Sequence, residues 1–177
     1  AQGKTQGKRV LERNKVRLGN APHDYKIPQR FFDRTFLTEH LAGMAAGVMR
    51  RLSGNATETS AVFNMSTQFD GGKTHALTLL YHLARNGSAA NRRRGVSRIL
   101  ERAGVRSVPD HCAIAVFAGT EFDSVTGRGG DDGTPRRRTP WGEIAWQLGQ
   151  AAAFSHVANH DADYQEPKGD VIDKMLP

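Results

Sequence analysis

The sequence predicts an α/β fold in which helices flank a parallel sheet built around a glycine-rich loop. Two short apolar runs, residues 60–65 and 113–118, are typical of buried strands. The glycine-rich turn that ends in Lys73 and Thr74 follows the first run and leads into a helix, and a basic helix precedes the second run. Strand, helical crossover and strand is the pattern of a parallel sheet with a right-handed connection.

The N-terminal part predicts a basic arm over residues 1–30 and a leading helix over 31–56. The arm interleaves Gly, Gln, Lys and Arg and has few apolar positions. In the leading helix, apolar residues recur at helical spacing from Leu37 to Leu52, and Gly54 supplies a stop signal. The chain is long enough for one domain with its own core, since domains usually span roughly 100–200 residues. We assign that domain to residues 31–177.

The remaining elements are predicted from apolar periodicity and from capping residues. Gly104 ends the basic helix, and Thr139 with Pro140 forms the N-cap and first turn of a later helix. The predicted order is strand, loop and helix over 60–84, a basic helix over about 90–103, a second strand over 112–118, a Gly, Asp and Arg loop over 119–139, and a helical part over 140–177.

The chemistry of the sequence is concentrated in the loop between the first strand and its helix. Thr67 to Thr74 matches the second half of the Walker A pattern G-x-x-x-x-G-K-[ST], with Thr67 in place of the first glycine. A loop between strand and helix presents its backbone N–H groups and the helix N-terminus to an anion. Lys73 is then expected to reach the β- and γ-phosphates, and the Thr74 hydroxyl to ligate Mg²⁺.

These residues predict ATP or ADP with Mg²⁺ as cofactors. The predicted nucleotide-binding residues are Thr67, Gln68, Phe69, Asp70, Gly71, Gly72, Lys73, Thr74 and His75, with Thr74 as the magnesium ligand. The alternative interpretation is that the two glycines form only a tight strand-to-helix turn and that Lys73 is a surface charge.

Several separate motifs between Phe31 and Pro177 resemble the predicted AAA+-like ATPases catalogued as domain of unknown function 499. The motifs are Phe31-Phe32, Arg51-Leu-Ser-Gly54, Thr67-x-Phe-x-Gly-Gly-Lys-Thr-His75, Leu80-Tyr-His-Leu83, Gly119-Thr-Glu-Phe-Asp123, Gly127-Arg-Gly-Gly-Asp-Asp-Gly-Thr-Pro135 and Thr139-Pro-Trp-Gly-Glu-Ile-Ala-Trp146. The resemblance implies an AAA+-like core in which Gly71 to Thr74 bind ATP phosphates and magnesium. It further implies that this is the N-terminal part of a large ATPase, often associated with DNA methyltransferases or phage defence, and it favours a homo-oligomer.

Two features bear on affinity and catalysis. Members of the family commonly have a glycine where this chain has Asp70, and a carboxylate that faces the phosphates would weaken binding. Glu121 and Asp123 follow an apolar run as Walker B acids do, which makes Glu121 a weak catalytic candidate. The resemblance instead places the Walker B strand beyond residue 177, so we expect this chain to bind nucleotide with little turnover.

The composition gives a second, different hypothesis, a nucleic-acid or protein interaction module in which the loop is only structural. The formal charge is +7, from 25 Lys and Arg against 18 Asp and Glu. Clusters at residues 92–94 and 136–138 would contact DNA phosphates or form a solvated surface. The loop that contains Asp131 and Asp132 is predicted either to sense nucleotide or partner, or to be flexible.

Other residue patterns indicate packing rather than chemistry. Cys112 opens an apolar run and is expected to be a buried, inert thiol. Trp141 and Trp146 are expected to pack, and the pair His156 and His160 has zinc spacing without the glutamate of a metalloprotease. The chain lacks a run of roughly 18 apolar residues and an apolar signal core, so an intracellular location without a membrane segment is predicted.

Overall fold

The computed structural model describes residues 16–55, 59–66 and 72–176. The helices, numbered along the chain, are α1 (His23–Lys26), α2 (Pro28–Arg34), α3 (Glu39–Leu52), α4 (Lys73–Asn86), α5 (Val96–Ala103), α6 (Pro140–Ala162) and α7 (Gly169–Met175), with 3-10 helices over Gly87–Arg92 and Gly119–Glu121. Two groups of helices result, and each has its own apolar core.

Helices α2 to α5 form the N-terminal cluster. Thr38 caps α3 by accepting the Leu41 N–H at 3.2 Å, and this cap begins a new helix where the sequence predicted one continuous helix over 31–56. The buried face of α3 carries small residues, so that α5 packs closely against it. The core consists of Phe31, Phe32, Ala45, Ala46, Met49, Leu79, Leu83, Ala90, Val96, Ile99, Leu100, Ala103 and Val108.

Helices α6 and α7 form the C-terminal pair. Thr139 caps α6 as predicted, by accepting the Gly142 N–H at 3.1 Å. The helix is interrupted at Gly149 and Gln150, whose backbone angles are not helical. Its smaller core consists of Ala145, Ala153, Phe154, Val157 and Met175, with both tryptophans packed against it. The packing role predicted for Trp141 and Trp146 is therefore confirmed.

The predicted parallel sheet is wrong. Residues 16–55, 59–66 and 72–176 contain no β-strand, and their one ladder contact is an isolated antiparallel bridge between Arg128 and Arg137. The run over 60–65 lies at the surface, where Val62 is 77% exposed. The run over 113–118 is half-buried and pairs with no strand.

Both runs have the apolar and β-branched composition of strands, but a strand exists only through hydrogen bonds to a neighbouring strand. The main chain of Val116 illustrates what replaces such a neighbour. Its N–H donates to Gln147 Oε1 at 2.8 Å, and its carbonyl accepts from Gln147 Nε2 at 3.0 Å. One amide side chain on α6 thus satisfies both main-chain groups and ties residues 113–118 to the C-terminal pair. Apolar composition alone could not distinguish this arrangement from a sheet.

In the described part of the chain, no helix has both the length and the apolar character needed to cross a bilayer.

Candidate phosphate site and its surroundings

The first turn of α4 contains the predicted phosphate-binding residues that the structure describes. Gly72 is the N-cap in a left-handed conformation, with φ 74° and ψ 9°, and has no side chain to cap the helix. Its carbonyl accepts the Ala76 N–H at 2.9 Å. A helix start without a side-chain cap leaves N–H groups directed outward together with the positive end of the helix dipole. The left-handed backbone at this position favours glycine.

Lys73 and Thr74 are the first two residues of this helix, and both are half-buried. The first turn contains no acidic residue that would compete with an anion. Thr74 accepts a hydrogen bond through its carbonyl, from Thr78 Oγ1 at 2.8 Å. The other predicted loop residues, Thr67 to Gly71, lie outside the described residues, and Asp70 is one of them.

His75 belongs to the same turn, but its ring packs into the N-terminal cluster. The ring centroid lies 4.7 Å from that of Phe31 and 5.9 Å from that of Tyr25. His75 Nε2 and Thr35 Oγ1 are 3.2 Å apart. Burial lowers the pKa of His75, because the cluster disfavours the charged ring. Its main chain lies at the phosphate site, whereas its side chain fixes α4 against α2.

About two turns later on α4, His82 has a related environment. Its ring lies 5.1 Å from Phe31, and its Nε2 lies 2.7 Å from the Tyr25 carbonyl oxygen. Burial lowers the pKa of His82, and the hydrogen bond to Tyr25 partly opposes this shift. The segment before α2 is thereby held on the face of α4 that carries both histidines.

Helix α4 also borders an apolar groove that the sequence did not reveal. The cavity has a volume of about 400 Å³. Thr74, Leu77 and Tyr81 line it from α4, Val48 and Leu52 line it from α3, and Val16 and residues 113–117 complete the wall. No motif marks this groove, because its walls come from four separate parts of the chain.

Glu121 lies in the 3-10 helix that follows residues 113–118. Its N–H donates to the Ala118 carbonyl at 3.0 Å, and its carbonyl accepts from Arg128 Nη2 at 3.1 Å. Asp123 Oδ1 accepts the N–H groups of Val125 and Thr126, which lowers the pKa of Asp123. The two acids therefore begin a structured turn and do not end a strand.

The Gly, Asp and Arg loop is attached to α6 by a buried carboxylate. Glu143 is 3% exposed, and its two oxygens accept from Arg137 Nε at 3.0 Å and from Arg128 Nη1 at 3.3 Å. Arg137 is itself 6% exposed and lies over the Trp146 ring, 5.0 Å from its centroid. These contacts hold the loop against α6. Its role in sensing nucleotide stays a prediction.

Asp161 closes the same region from the other end of α6. Its carboxylate accepts the Arg138 and Thr139 N–H groups at 2.9 Å each and also the Thr139 hydroxyl. A Cβ on Gly142 would lie 2.0 Å from Asp161 Oδ1, so glycine is required there. Because the helix is interrupted in the middle, its last turn can cap its first. Glu143 lies within the motif from Thr139 to Trp146, but no role was predicted for it or for Asp161 as a cap, because their partners are distant in sequence.

The arginine clusters proposed for DNA are largely occupied by internal contacts. Arg94 Nη1 donates to the Asp33 carbonyl at 2.9 Å, and Arg93 donates to the Gln29 side chain. Arg98 pairs with Glu39 and donates to the Leu37 carbonyl at 3.1 Å. In the second cluster, Arg136 donates to the Thr126 carbonyl at 2.8 Å. These side chains connect helices and stabilise a loop.

Cys112 and the histidine pair of α6 were considered for thiol and metal chemistry. Cys112 is half-buried, less than predicted, and burial raises the pKa of its thiol, which disfavours the reactive thiolate. His156 is exposed and His160 is half-buried, one turn apart on α6. Over the described ranges, no group of three or more His, Cys, Asp or Glu residues is arranged to hold a metal ion.

Comparison with known proteins gives one match. The family model described as DUF499 N-terminal domain matches residues 7–177, which is nearly the whole chain. No curated protein and no solved structure matches the chain.

Proposed function

The chain belongs to the DUF499 family, in its N-terminal domain, and from this premise we propose that it binds the phosphates of ATP or ADP with Mg²⁺ at the start of α4. The observation that supports the proposal is the glycine-capped helix start, with Lys73 and Thr74 in a first turn that contains no acidic residue. Backbone N–H groups and the helix dipole attract the phosphates, and Lys73 adds a positive charge.

Thr74 is the proposed magnesium ligand, because a hydroxyl directly after the lysine is suited to bind the ion between the β- and γ-phosphates. The left-handed Gly72 allows the backbone to approach the phosphates without a Cβ. On the basis of the family resemblance, we extend the proposal to the whole protein. It would be an intracellular, oligomeric ATPase that acts with DNA methyltransferase or phage-defence systems.

Calorimetric titration of Mg·ATP into the chain tests the site. We expect Lys73→Ala to weaken binding at least tenfold, because a charge-assisted hydrogen bond contributes about 1.5–3 kcal/mol. Arg85→Ala is the matched control, since Arg85 is an exposed cation in the last turn of the same helix. Unchanged ATP affinity in the Lys73 variant would contradict the proposal.

A DNA-binding function has less support, because four arginines of the two clusters make internal contacts. The test is a DNA titration at about 50 mM salt, where phosphate contacts are strong. Two results together would favour DNA binding over ATP binding. They are a DNA complex that weakens steeply with salt and the absence of ATP binding.

A further inference from the structure

We propose that the apolar groove beside α4 holds the base and ribose of the bound nucleotide, with adenine preferred, while the phosphates lie at the start of the helix. The inference rests on the proposed phosphate site and adds the part of the ligand that this site leaves unassigned. Four features of the groove support it, namely its position, its charge, its walls and its free main-chain groups.

The groove begins where the phosphate site ends. Thr74 lies in the first turn of α4 and also lines the groove, and it is followed on the same face by Thr78 and Tyr81. Residues three and four apart share a helix face. At 1.5 Å per residue, the seven residues from Thr74 to Tyr81 correspond to about 10 Å along the helix. A nucleotide with its phosphates at the first turn can therefore extend along this face.

The charges of the two regions match the two halves of a nucleotide. The helix start presents Lys73 and the positive end of the dipole. None of the described residues that line the groove is charged. An anionic group entering an apolar groove loses its hydration without a partner, whereas an uncharged ring does not. The phosphates are thus directed to the helix start, and the base to the groove.

The size and walls of the groove suit a heteroaromatic ring. Its volume of about 400 Å³ lies within the usual range of small-ligand sites, roughly 300–1,000 Å³. Leu77 and Leu80 from α4 and Val48 and Leu52 from α3 give it aliphatic walls. Tyr81 provides an aromatic face, and stacking of a base on an aromatic side chain contributes about 1–3 kcal/mol in other proteins.

The main chain along the groove can read the edge of the base. Both main-chain groups of Val116 reach Gln147, so they point in the same direction, as in an extended residue. The main-chain N–H and carbonyl groups of the neighbouring residues Ala115 and Phe117 then point away from Gln147. No other described residue forms a hydrogen bond with them. Each of these two residues thus offers an N–H donor beside a carbonyl acceptor. Adenine presents a donor at N6 beside an acceptor at N7, whereas guanine presents two acceptors on that edge.

Calorimetry with three probes, Mg·ATP, Mg·GTP and inorganic tripolyphosphate, tests the assignment on the complete chain. We expect ATP to bind at least about tenfold more tightly than tripolyphosphate, because only ATP gains the stacking contact. GTP should lie between them. Tyr81→Ala should remove most of the advantage of ATP and leave tripolyphosphate affinity within about twofold. Tyr81→Phe, which keeps the ring, should behave as the unsubstituted chain.

The outcomes separate this inference from the proposed function. If tripolyphosphate and ATP bind equally, and both depend on Lys73, the phosphate site stands and the groove assignment is overturned. Such a result would leave the groove to an extended polypeptide segment. If neither probe binds, both proposals are overturned.

A second measurement on the unsubstituted chain avoids any effect of Tyr81→Ala on folding. Photo-crosslinking with 8-azido-ATP should modify residues 77–81 or 113–117, with competition by ATP. Competed crosslinks confined to other segments would overturn the assignment.

Discussion

The N-terminal cluster and the C-terminal pair are both helical, but different interactions stabilise them. The cluster buries thirteen core residues, with arginines such as Arg98 and Arg102 joining the helices at its edge through Glu39. The pair buries five core residues, and buried charged groups complete it. Where the apolar core is small, the ion pairs of Glu143 and the hydrogen bonds of Asp161 define the conformation.

The difference matters for mutation. An apolar core loses the transfer energy of the removed atoms and gains a cavity, so the cost depends on how far the neighbours relax. A buried ion pair that loses one partner leaves an uncompensated charge. The same number of deleted atoms can therefore cost more in the C-terminal pair than in the N-terminal cluster.

The largest effect is expected for Glu143→Ala. Removing this carboxylate leaves Arg137 buried without its anionic partner, which should lower the free energy of unfolding by about 3–5 kcal/mol. Urea denaturation followed by tryptophan fluorescence measures it, because both tryptophans of the chain lie on α6. Glu166→Ala removes an exposed carboxylate paired with Lys168 and should leave the midpoint unchanged. Equal midpoints for Glu143→Ala and the unsubstituted chain would show that the buried pair does not stabilise this region.

A comparable but smaller effect is expected in the N-terminal cluster for Leu83→Ala. Leu83 is fully buried, and such truncations cost about 2–5 kcal/mol. Far-UV circular dichroism should show the shift, and Leu18→Ala, at a position that is 54% exposed, is the control. The unfolding midpoint measured by tryptophan fluorescence should shift less than the midpoint measured by circular dichroism, because Leu83 does not belong to the core of α6. Coincident shifts by both probes would show a single cooperative unit and remove the distinction between the two regions.

These contrasts also explain which elements could be predicted from the sequence. The helix after the glycine-rich turn was predicted for His75 to Ala84 and is observed as Lys73–Asn86, and the one announced by Thr139 and Pro140 begins as expected. Helices depend on contacts within about four residues, so periodicity and caps specify them.

The sheet was predicted wrongly because strands depend on partners that are distant in sequence. Residues 113–118 have suitable composition, yet their partner is the side chain of Gln147. The C-terminal network was missed for the same reason, since Glu143 meets Arg128 across fifteen positions and Asp161 meets Thr139 across twenty-two. At the phosphate site, the order of Gly72, Lys73 and Thr74 is local, which is why the sequence could place these residues at a helix start.

A smaller effect that depends on pH distinguishes the two regions further. Burial lowers the pKa of His75 and His82, so the unfolded chain binds more protons than the folded chain as pH falls below about 6.5. The stability of the N-terminal cluster is then complete above this pH and decreases as pH falls through the folded-state pKa values. Unfolding midpoints by circular dichroism between pH 7.5 and 5 should decline less in His82→Gln than in the unsubstituted chain. His40→Gln, at an exposed position on α3, should decline as the unsubstituted chain does. A decline of the same size in all three proteins would contradict the assigned cause.

The smallest effect is expected for Glu121→Gln, at the junction between the two regions. A hydrolytic carboxylate must be held within hydrogen-bond reach of the attacking water. Glu121 instead lies in a 3-10 turn, positioned by main-chain bonds to Ala118 and Arg128 that the substitution preserves. We therefore expect slow steady-state phosphate release from ATP, and rates and ATP affinities within about twofold for the variant and the unsubstituted chain. Lys73→Ala, measured in parallel, should abolish whatever release depends on the phosphate site. Rapid release that Glu121→Gln abolishes, with ATP affinity retained, would show that this glutamate acts in catalysis and that the turn after residues 113–118 forms part of the active site.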